Sequence, residues 1–589
     1  MPTFKAPIRD FQFVLREFLP LTQYKDVPGF ADVLDMADPV LDAAAQLCES
    51  VLFPLNQVGD KEGLKYENGT VTTPKGFKEA YKAYCEGGWP SFTCDPAYGG
   101  QGLPECLNMP IMEMACSANL SFGLTPGLSH GAYNAIVRHA SDALKQKYLP
   151  NLVCGLWSGV MCLTEPQAGT DLGLVRTKAE AAADGSYKIT GGKIFISSGE
   201  HDMTENILHL VLARLPGAPK GTKGISLFLV PKFLVKDDGT LDERNKLRCE
   251  GIEHKMGLTA SPTCVMQFDG AIGWLVGEPN QGMRNMFTMM NAARLYVGVQ
   301  GLGLAEVAYQ NALAYARDRL QSRAPTGAKL PEKPADPIIL QPDVRRMILT
   351  MRAFTEGARA LILLTAFNAD LAHRHPDKQV QQDADDFVQL MTPIVKAYLT
   401  DMGSEVANLA VQVYGGYGYI KDYGVEQYVR DARIAQIYEG TNGVQALDLI
   451  GRKLSYANGR YLRQFFHPTD AFITKHKDNP AMAEFIKPLS KHIGYLQQAS
   501  LYIAMAGLKD PNDAAGAATE YLRLFALVVF ALIWARTAEI AMEKQKDDPA
   551  FYDAKLATAR FYFSKILPGT TSLLQSITSG SKSLMAAAL

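Results

Sequence analysis

The hydrophobic period of this chain changes twice, and those changes limit what it can fold into. Up to about residue 155 apolar residues recur at helical spacing, as in VLDAAAQLCESVLFPL and AYNAIVRHASDALKQKYL. From 156 to 282 short β-rich runs alternate with turns: WSGVMCLT, YKITGGKIFISS, ILHLVLARL, GISLFLVP and TCVMQFDG. From 283 the helical period returns in long stretches with broad apolar faces, the pattern of an up-and-down bundle. A last helical block is broken near Pro480, Pro511 and Pro549. The order predicts a multidomain α+β chain. Residues 1–155 form a helical domain with a short N-terminal extension, 156–282 an antiparallel β-domain, 283–455 a helical bundle, and 456–589 an additional helical domain. Segments 95–104 and 323–342 read as loops, and Gly191-Gly192 reads as a hairpin turn.

The 589 residues suffice for several domains and a large core. The most apolar window, Leu524–Ala535, is too short to span a bilayer and is expected to be a buried core helix. A net charge of −2, with only a mild basic excess after residue 455 and no Lys/Arg run, gives no footprint for nucleic acid. The nine cysteines are scattered between Cys48 and Cys264, with no C-x-x-C pair and no His cluster beside them. That set predicts reduced thiols in a cytoplasmic compartment and no zinc or disulfide framework. The N-terminus carries acids and no uninterrupted apolar run, unlike a signal peptide.

Four short stretches could carry chemistry, and each also has an ordinary explanation. MCLTEPQAGTD (161–171) leaves a β-run and enters a loop. Its hydroxyls and backbone N–H groups suit either a strand-end turn or a polar planar ligand. In KIFISSG (193–199), Phe195 and Ser197 alternate with Ile194 and Ile196, which places them on one face. Core packing explains Phe195 as well as stacking on a cofactor ring does. QVYGGYGY (412–419) follows a helical pattern and lacks G-x-G-x-x-G spacing, so it reads as a glycine-ended helix and not as a dinucleotide fingerprint. In QIYEGTNGVQ (436–445), Thr441 or Asn442 could cap the helix that follows, and Glu439 is either a dipole-stabilised carboxylate or a base. Arg294 and Arg319, early and late in one long helix, read alone as solvated or salt-bridged.

Together, and in this order, the four stretches resemble the acyl-CoA dehydrogenases, whose motifs are TEPxAG(S/T)D, Kx(W/F)I(T/S), QxxGGxG(Y/F) and IYEGT. The likeness covers about residues 40–455. It implies a helical domain, a central β-domain and a four-helix bundle with FAD as cofactor. It implies flavin contacts at Met161, Leu163, Thr164, Gly169, Thr170, Phe195 and Ser197. Arg319, Gln412, Gly415 and Gly416 resemble the positions that hold the adenosine diphosphate half across a dimer, and Thr441 the hydroxyl beside the pyrophosphate. Thr170, Arg294, Glu439 and Gly440 fall at acyl-CoA positions, Arg294 at the adenine end. Phe195 replaces the tryptophan of smaller members, and Leu-Gln-Ser follows Arg319 where those have Lys-Thr-Phe.

The reaction implied is α,β-desaturation of an acyl-CoA, Glu439 removing the α-proton while the β-hydride passes to flavin N5. Electron transfer flavoprotein is the expected electron acceptor. The extra C-terminal block resembles a large bacterial subgroup of homodimers that includes long-chain acyl-CoA and 3-methylmercaptopropionyl-CoA dehydrogenases. That implies a homodimer and a medium- or long-chain fatty acyl-CoA of β-oxidation, with 3-methylmercaptopropionyl-CoA as the alternative. An acyl-CoA oxidase and a DNA-associated relative with little activity are further alternatives.

Overall fold

The structure, a computed structural model, describes residues 2–588. Its contacts divide into two compact units. Unit 1 comprises Met1–Asp42, Pro104–Glu113 and Val297–Leu589, and unit 2 comprises Ala43–Leu103 and Met114–Tyr296.

Unit 2 is built on a seven-stranded sheet: β1 (Trp157–Cys162), β2 (Lys178–Ala181), β3 (Tyr187–Ser197), β4 (Asn206–Arg214), β5 (Ile225–Pro231), β6 (Leu247–Ile252) and β7 (Thr263–Leu275). The pairings β7–β3–β2–β4–β5 return to β7, so five strands close a ring that β1 and β6 extend. Most pairs are antiparallel, as expected. The exceptions are β1 beside β4, parallel over six residues, and a single parallel pair between β2 and β4. β4 is buried on both faces, which is why NILHLVLAR reads as a continuous apolar run. Ile207, Val211 and Ala213 join a core with Phe228, Cys264, Met266 and Phe268. Leu208, Leu210 and Leu212 join another with Tyr148, Leu149, Leu152 and Trp157.

Two expectations for β3 fail. Gly191-Gly192 makes no hairpin, because β3 runs unbroken through both residues. The glycine serves a close approach instead: a Cβ on Gly191 would meet Thr177 Oγ1 at 2.6 Å. The strict alternation of Phe195 and Ser197 fails as well. Three steps of β3 from Lys193 to Ile196 face two steps of β7 from Met266 to Cys264, so β3 carries an extra residue there. Phe195 lies in this bulge at φ 58°.

Unit 1 is helical. Its long helices include α1 (Gly282–Asp318, from Val297 on), α2 (Pro342–Arg374) and α3 (Lys378–Tyr414), followed by the short α4 (Asn442–Asp448). Among the C-terminal helices, α5 (Ala518–Lys544) packs on this bundle, and α6 (Thr570–Thr578) packs on α5. Pro480, Pro511 and Pro549 each open a helix or turn behind an Asn or Asp cap, where a missing N–H costs nothing. The apolar window Leu524–Ala535 lies inside α5, whose 27 residues are long and apolar enough to cross a membrane. Its length therefore excludes nothing, contrary to expectation. Burial of Phe525, Val528, Phe530 and Trp534 is what marks it as a core helix.

Candidate functional site

In unit 2 the loop after β1 is fixed from below. Met161, the last residue but one of β1, lies opposite Leu210, and Leu163 and Thr164 are half-buried beyond the strand. Lys193, fully buried on β3, donates its Nζ to the Leu163 carbonyl at 3.0 Å and to Glu165 Oε1 at 2.8 Å. The Ile194 N–H donates to the Thr164 carbonyl at 3.0 Å. Glu165 also accepts from Thr177 N–H and Oγ1, Arg176 N–H and Gln167 Nε2. Burial pushes its carboxyl up. The charge and hydrogen bond of Lys193, with Thr177 and Arg176, outweigh that and bring it down to about 2. Glu165 and Ala168 exchange backbone hydrogen bonds, closing a tight turn that leaves Gly169 and Thr170 exposed.

Above this anchored loop stands Phe195, 59% exposed on a backbone that L-residues seldom adopt. Ser198, immediately after a half-buried Ser197 on the strand's end, has φ 54° and is held by Thr125 Oγ1 at 2.7 Å and the Pro262 carbonyl. Strained residues persist where their surroundings over-determine them. Arg294 is half-buried on α1, near Asn291 Oδ1 (3.3 Å) and over the Phe287 ring.

Unit 1 brings together the other candidates. Arg319, just past the end of α1, lies over the Tyr417 ring at 5.5 Å, in the turn that follows α3. Gln412 is exposed at the end of α3, and its carbonyl accepts from the Gly415 N–H. Tyr315 and Tyr414 stack at 4.1 Å and hold α1 to the same turn. A Cβ on Gly415 or Gly416, or on Gly169 in unit 2, would meet no atom within 4 Å. Packing within the chain does not require glycine at Gly169 or Gly416, and their bare backbone suits a ligand that comes close; Gly415, at φ 62°, is called for by its own backbone. Exposed Phe195 adds an unfilled ring face, so the residues present fit a flavin.

Glu439 sits on a loop tied at both ends. Before it, the Tyr438 hydroxyl donates to Gln300 Oε1 of α1, and Gln436 Nε2 donates to Asp401 Oδ1 at 2.6 Å. After it, Asn442 accepts from the buried Lys396 Nζ at 2.8 Å and donates to Asp401 Oδ1 at 2.7 Å. Gln445 Nε2 donates to the Gly440 carbonyl at 3.1 Å. Between the ties Glu439 takes φ 57° and Gly440 φ 84°. The capping expectation is corrected here. Thr441 is the N-cap of α4 by position, but its side chain makes no capping bond, and the Asn442 side chain turns to α3 instead. The Thr441 hydroxyl is not spent on the helix.

Several of these anchors carry no motif. Gln300, Lys396 and Asp401 reach the Glu439 loop from other helices, and nothing local in the sequence marks them. Lys193 left a faint signal: a lysine inside a β-run must find an acid when buried, and Glu165 is in the neighbouring motif.

The chain matches four family descriptions in succession: acyl-CoA dehydrogenase N-terminal domain at residues 40–155, middle domain at 160–271, C-terminal domain at 280–454, and acetyl-CoA dehydrogenase C-terminal like at 465–588. It is 43% identical over 597 residues, covering 100% of both chains, to 3-methylmercaptopropionyl-CoA dehydrogenase of Ruegeria pomeroyi. It is 36% identical to a butyryl-CoA dehydrogenase of Syntrophomonas wolfei, covering 97% of this chain and 96% of the relative. Among solved structures, an acyl-CoA dehydrogenase from Bacillus anthracis complexed with FAD superimposes with a TM-score of 0.73 at 20% identity, covering 98% of this chain and 96% of the other.

Proposed function

This chain belongs to the acyl-CoA dehydrogenase family, and from that premise we propose that it desaturates a short acyl-CoA, with 3-methylmercaptopropionyl-CoA as the favoured substrate. It is an FAD-dependent oxidoreductase. When bound, FAD supplies the acceptor for the hydride that leaves the β-carbon.

The chain's own part is to take a proton and hold the reacting groups. The observation that carries the reading is Glu439, held in a left-handed conformation on a loop tethered to α1 and α3. A backbone so fixed sets the point from which the side chain projects, and its carboxylate can accept the α-proton of a thioester. A free glutamate, with pKa near 4.3, is a weak base. Exclusion of water by the acyl group would raise it toward the working pH. Met161, Leu163, Thr164, Gly169, Thr170, Phe195 and Ser197 would hold the flavin, and Thr441 its pyrophosphate. Arg319, Gln412, Gly415 and Gly416 would serve a second copy in a homodimer. Exposed Tyr417, Tyr419 and Ile420 beside them support such a contact. Thr170, Arg294 and Gly440 would line the acyl-CoA. The free thiols support a cytoplasmic setting.

Chain size alone suggests a medium- or long-chain substrate, but full-length likeness to enzymes named for short substrates favours a short one. One methylene more or less is worth about 1–3 kcal/mol in an apolar pocket, so activity should grade across neighbouring lengths. A dye-linked assay over acyl-CoAs of increasing length, with 3-methylmercaptopropionyl-CoA included, tests this, and a maximum at long chains would reject it. Glu439→Gln should keep FAD and bind acyl-CoA yet lose turnover by about 10³-fold, within the range for a general base. Near wild-type turnover in that variant would sink the assignment. Reduction of electron transfer flavoprotein without oxygen uptake would separate dehydrogenase from oxidase.

A further inference from the structure

Unit 1 holds a cavity of about 540 Å³ walled by α2, α3, α5 and α6. Its volume lies in the range of small-molecule sites, about 300–1,000 Å³. The floor is apolar and closely packed: Phe354, Met402, Leu527 and Phe530 are all buried, and the rings of Phe354 and Phe530 stack at 6.1 Å.

Among the hydroxyls in the lining, that of Tyr562 is spent on the Leu527 carbonyl, and that of Tyr398 is not spent on the protein. Tyr398 on α3 is 4% exposed and lines the cavity, and its hydroxyl has no hydrogen-bond partner among the described residues. The hydroxyl is not among the fully buried unpaired polar atoms, so solvent in the cavity reaches it, and a ligand's acceptor could take that water's place. Burial pushes the phenol upward, Arg523 opposes and Glu405 reinforces, so it stays a donor at any physiological pH.

The rim carries three cations, Arg346, Arg523 and Lys565, against two carboxylates, Glu405 and Glu520. Arg346 pairs with Asp343 outside the cavity. Arg523 stands 3.8 Å from Glu405, with both side chains about half exposed, a weak pair. Lys565 makes no ion pair among the described residues. Glu520 lies in the first turn of α5, where the helix dipole favours it. Over the lining residues alone, three cations against two carboxylates leave an excess of one positive charge.

We propose that this cavity binds an amphipathic carboxylate, a free acid with a hydrocarbon tail. The tail lies on Phe354, Met402, Leu527 and Phe530, and the carboxylate accepts from the Tyr398 hydroxyl while facing Arg523 and Lys565. The site shares no residue with the Glu439 loop or the flavin positions and does not depend on the reaction assigned to them.

The test is calorimetric titration of octanoate into the full-length, FAD-loaded protein. Wild type is expected to bind. Tyr398→Phe, which keeps the ring and removes only the donor, should weaken binding about fivefold, and the double variant Arg523→Gln/Lys565→Gln by about tenfold or more. Flavin content and acyl-CoA turnover should not change in either. Octylamine, with the same tail and the opposite charge, should not bind. No heat of binding, equal affinity for octylamine, or unchanged affinity in both variants, the result expected if octanoate enters the acyl site instead, would each overturn the proposal.

Discussion

Two buried glutamates, each gripped by one cation, stand at opposite ends of the carboxylate range. Glu165 in unit 2 is brought down to about 2. Glu113 in unit 1 is pushed up to about 7. Burial is the largest influence on both, and it acts upward on both. The difference lies in what answers it. Glu165 has Lys193 to itself, with backbone N–H groups and a threonine hydroxyl donating as well. Glu113 has a bidentate Arg359, but that guanidinium also serves Glu306 at 2.8 Å, and the second carboxylate repels the first. Two carboxylates on one cation cannot both be fully answered in a dry interior. A buried charge is set less by its depth than by how many donors it need not share.

The largest effect should come from breaking the unshared pair. Lys193→Met leaves Glu165 buried without its cation and the Leu163 carbonyl without its donor. Removing one partner of a buried pair costs about 3–5 kcal/mol. Urea denaturation should show that loss, and the variant should purify with less FAD because the loop it supports carries Leu163 and Thr164. If Glu165→Gln/Lys193→Met recovers part of the stability, the loss came from the stranded charge; no recovery would point to packing alone.

Next is pH, where the two sites should act with opposite sign. The native pKa of Glu113 lies above its unfolded value, so the folded state binds the extra proton. Its stabilising effect is full below about 4.5 and is lost as pH rises through about 7. At one pKa unit per 1.36 kcal/mol, the whole swing is about 3 kcal/mol. Asp370, buried against the Glu105 and Cys106 N–H groups, is also pushed to about 7 and shares this decline below neutrality. Glu165 behaves the other way: its contribution is present above the unfolded pKa and is lost as pH falls toward 2. Glu113→Gln should therefore flatten the decline in melting temperature between about pH 4.5 and 7 and leave the limb below that alone. An unchanged slope across that window would mean that Glu113 is ionised throughout.

These networks also show what a sequence reveals and what it hides. The helix–β–helix order was legible because period is local: VRRMILTMRAFTEGARALILL can bury one face only as a helix, and NILHLVLAR buries both faces as a strand. The candidate site was legible at TEPQAGTD and IYEGT because compact loops keep their residues adjacent in the chain. The bulge at Phe195 was hidden because alternation assumes one residue per pleat, and the extra one shows only against β7. The hairpin misreading at Gly191-Gly192 has a related cause: the neighbour that requires a glycine, Thr177, is distant in sequence. Gln300 and Tyr438 are 138 residues apart, and Arg359 and Glu113 are 246 apart. Such pairs depend on tertiary packing, which no local pattern encodes.

The smallest test is the sharpest, because it counts donors one at a time. Thr177→Val keeps the shape and the backbone N–H that donates to Glu165 at 3.0 Å, and removes only the hydroxyl that donates at 2.6 Å. A hydrogen bond to a charged group is worth about 1.5–3 kcal/mol, and the remaining donors should hold the cost near the lower figure. The carboxyl should then titrate higher, so the acid limb of the stability profile, which starts from the unfolded pKa in both proteins, should level off at a higher pH and lose less in total than in wild type. Lys193 stays in place, so a shift in that limb reports the donor set and not the ion pair. If the limb does not move, Lys193 alone holds Glu165 down, and the contrast with Glu113 reduces to one carboxylate per cation against two.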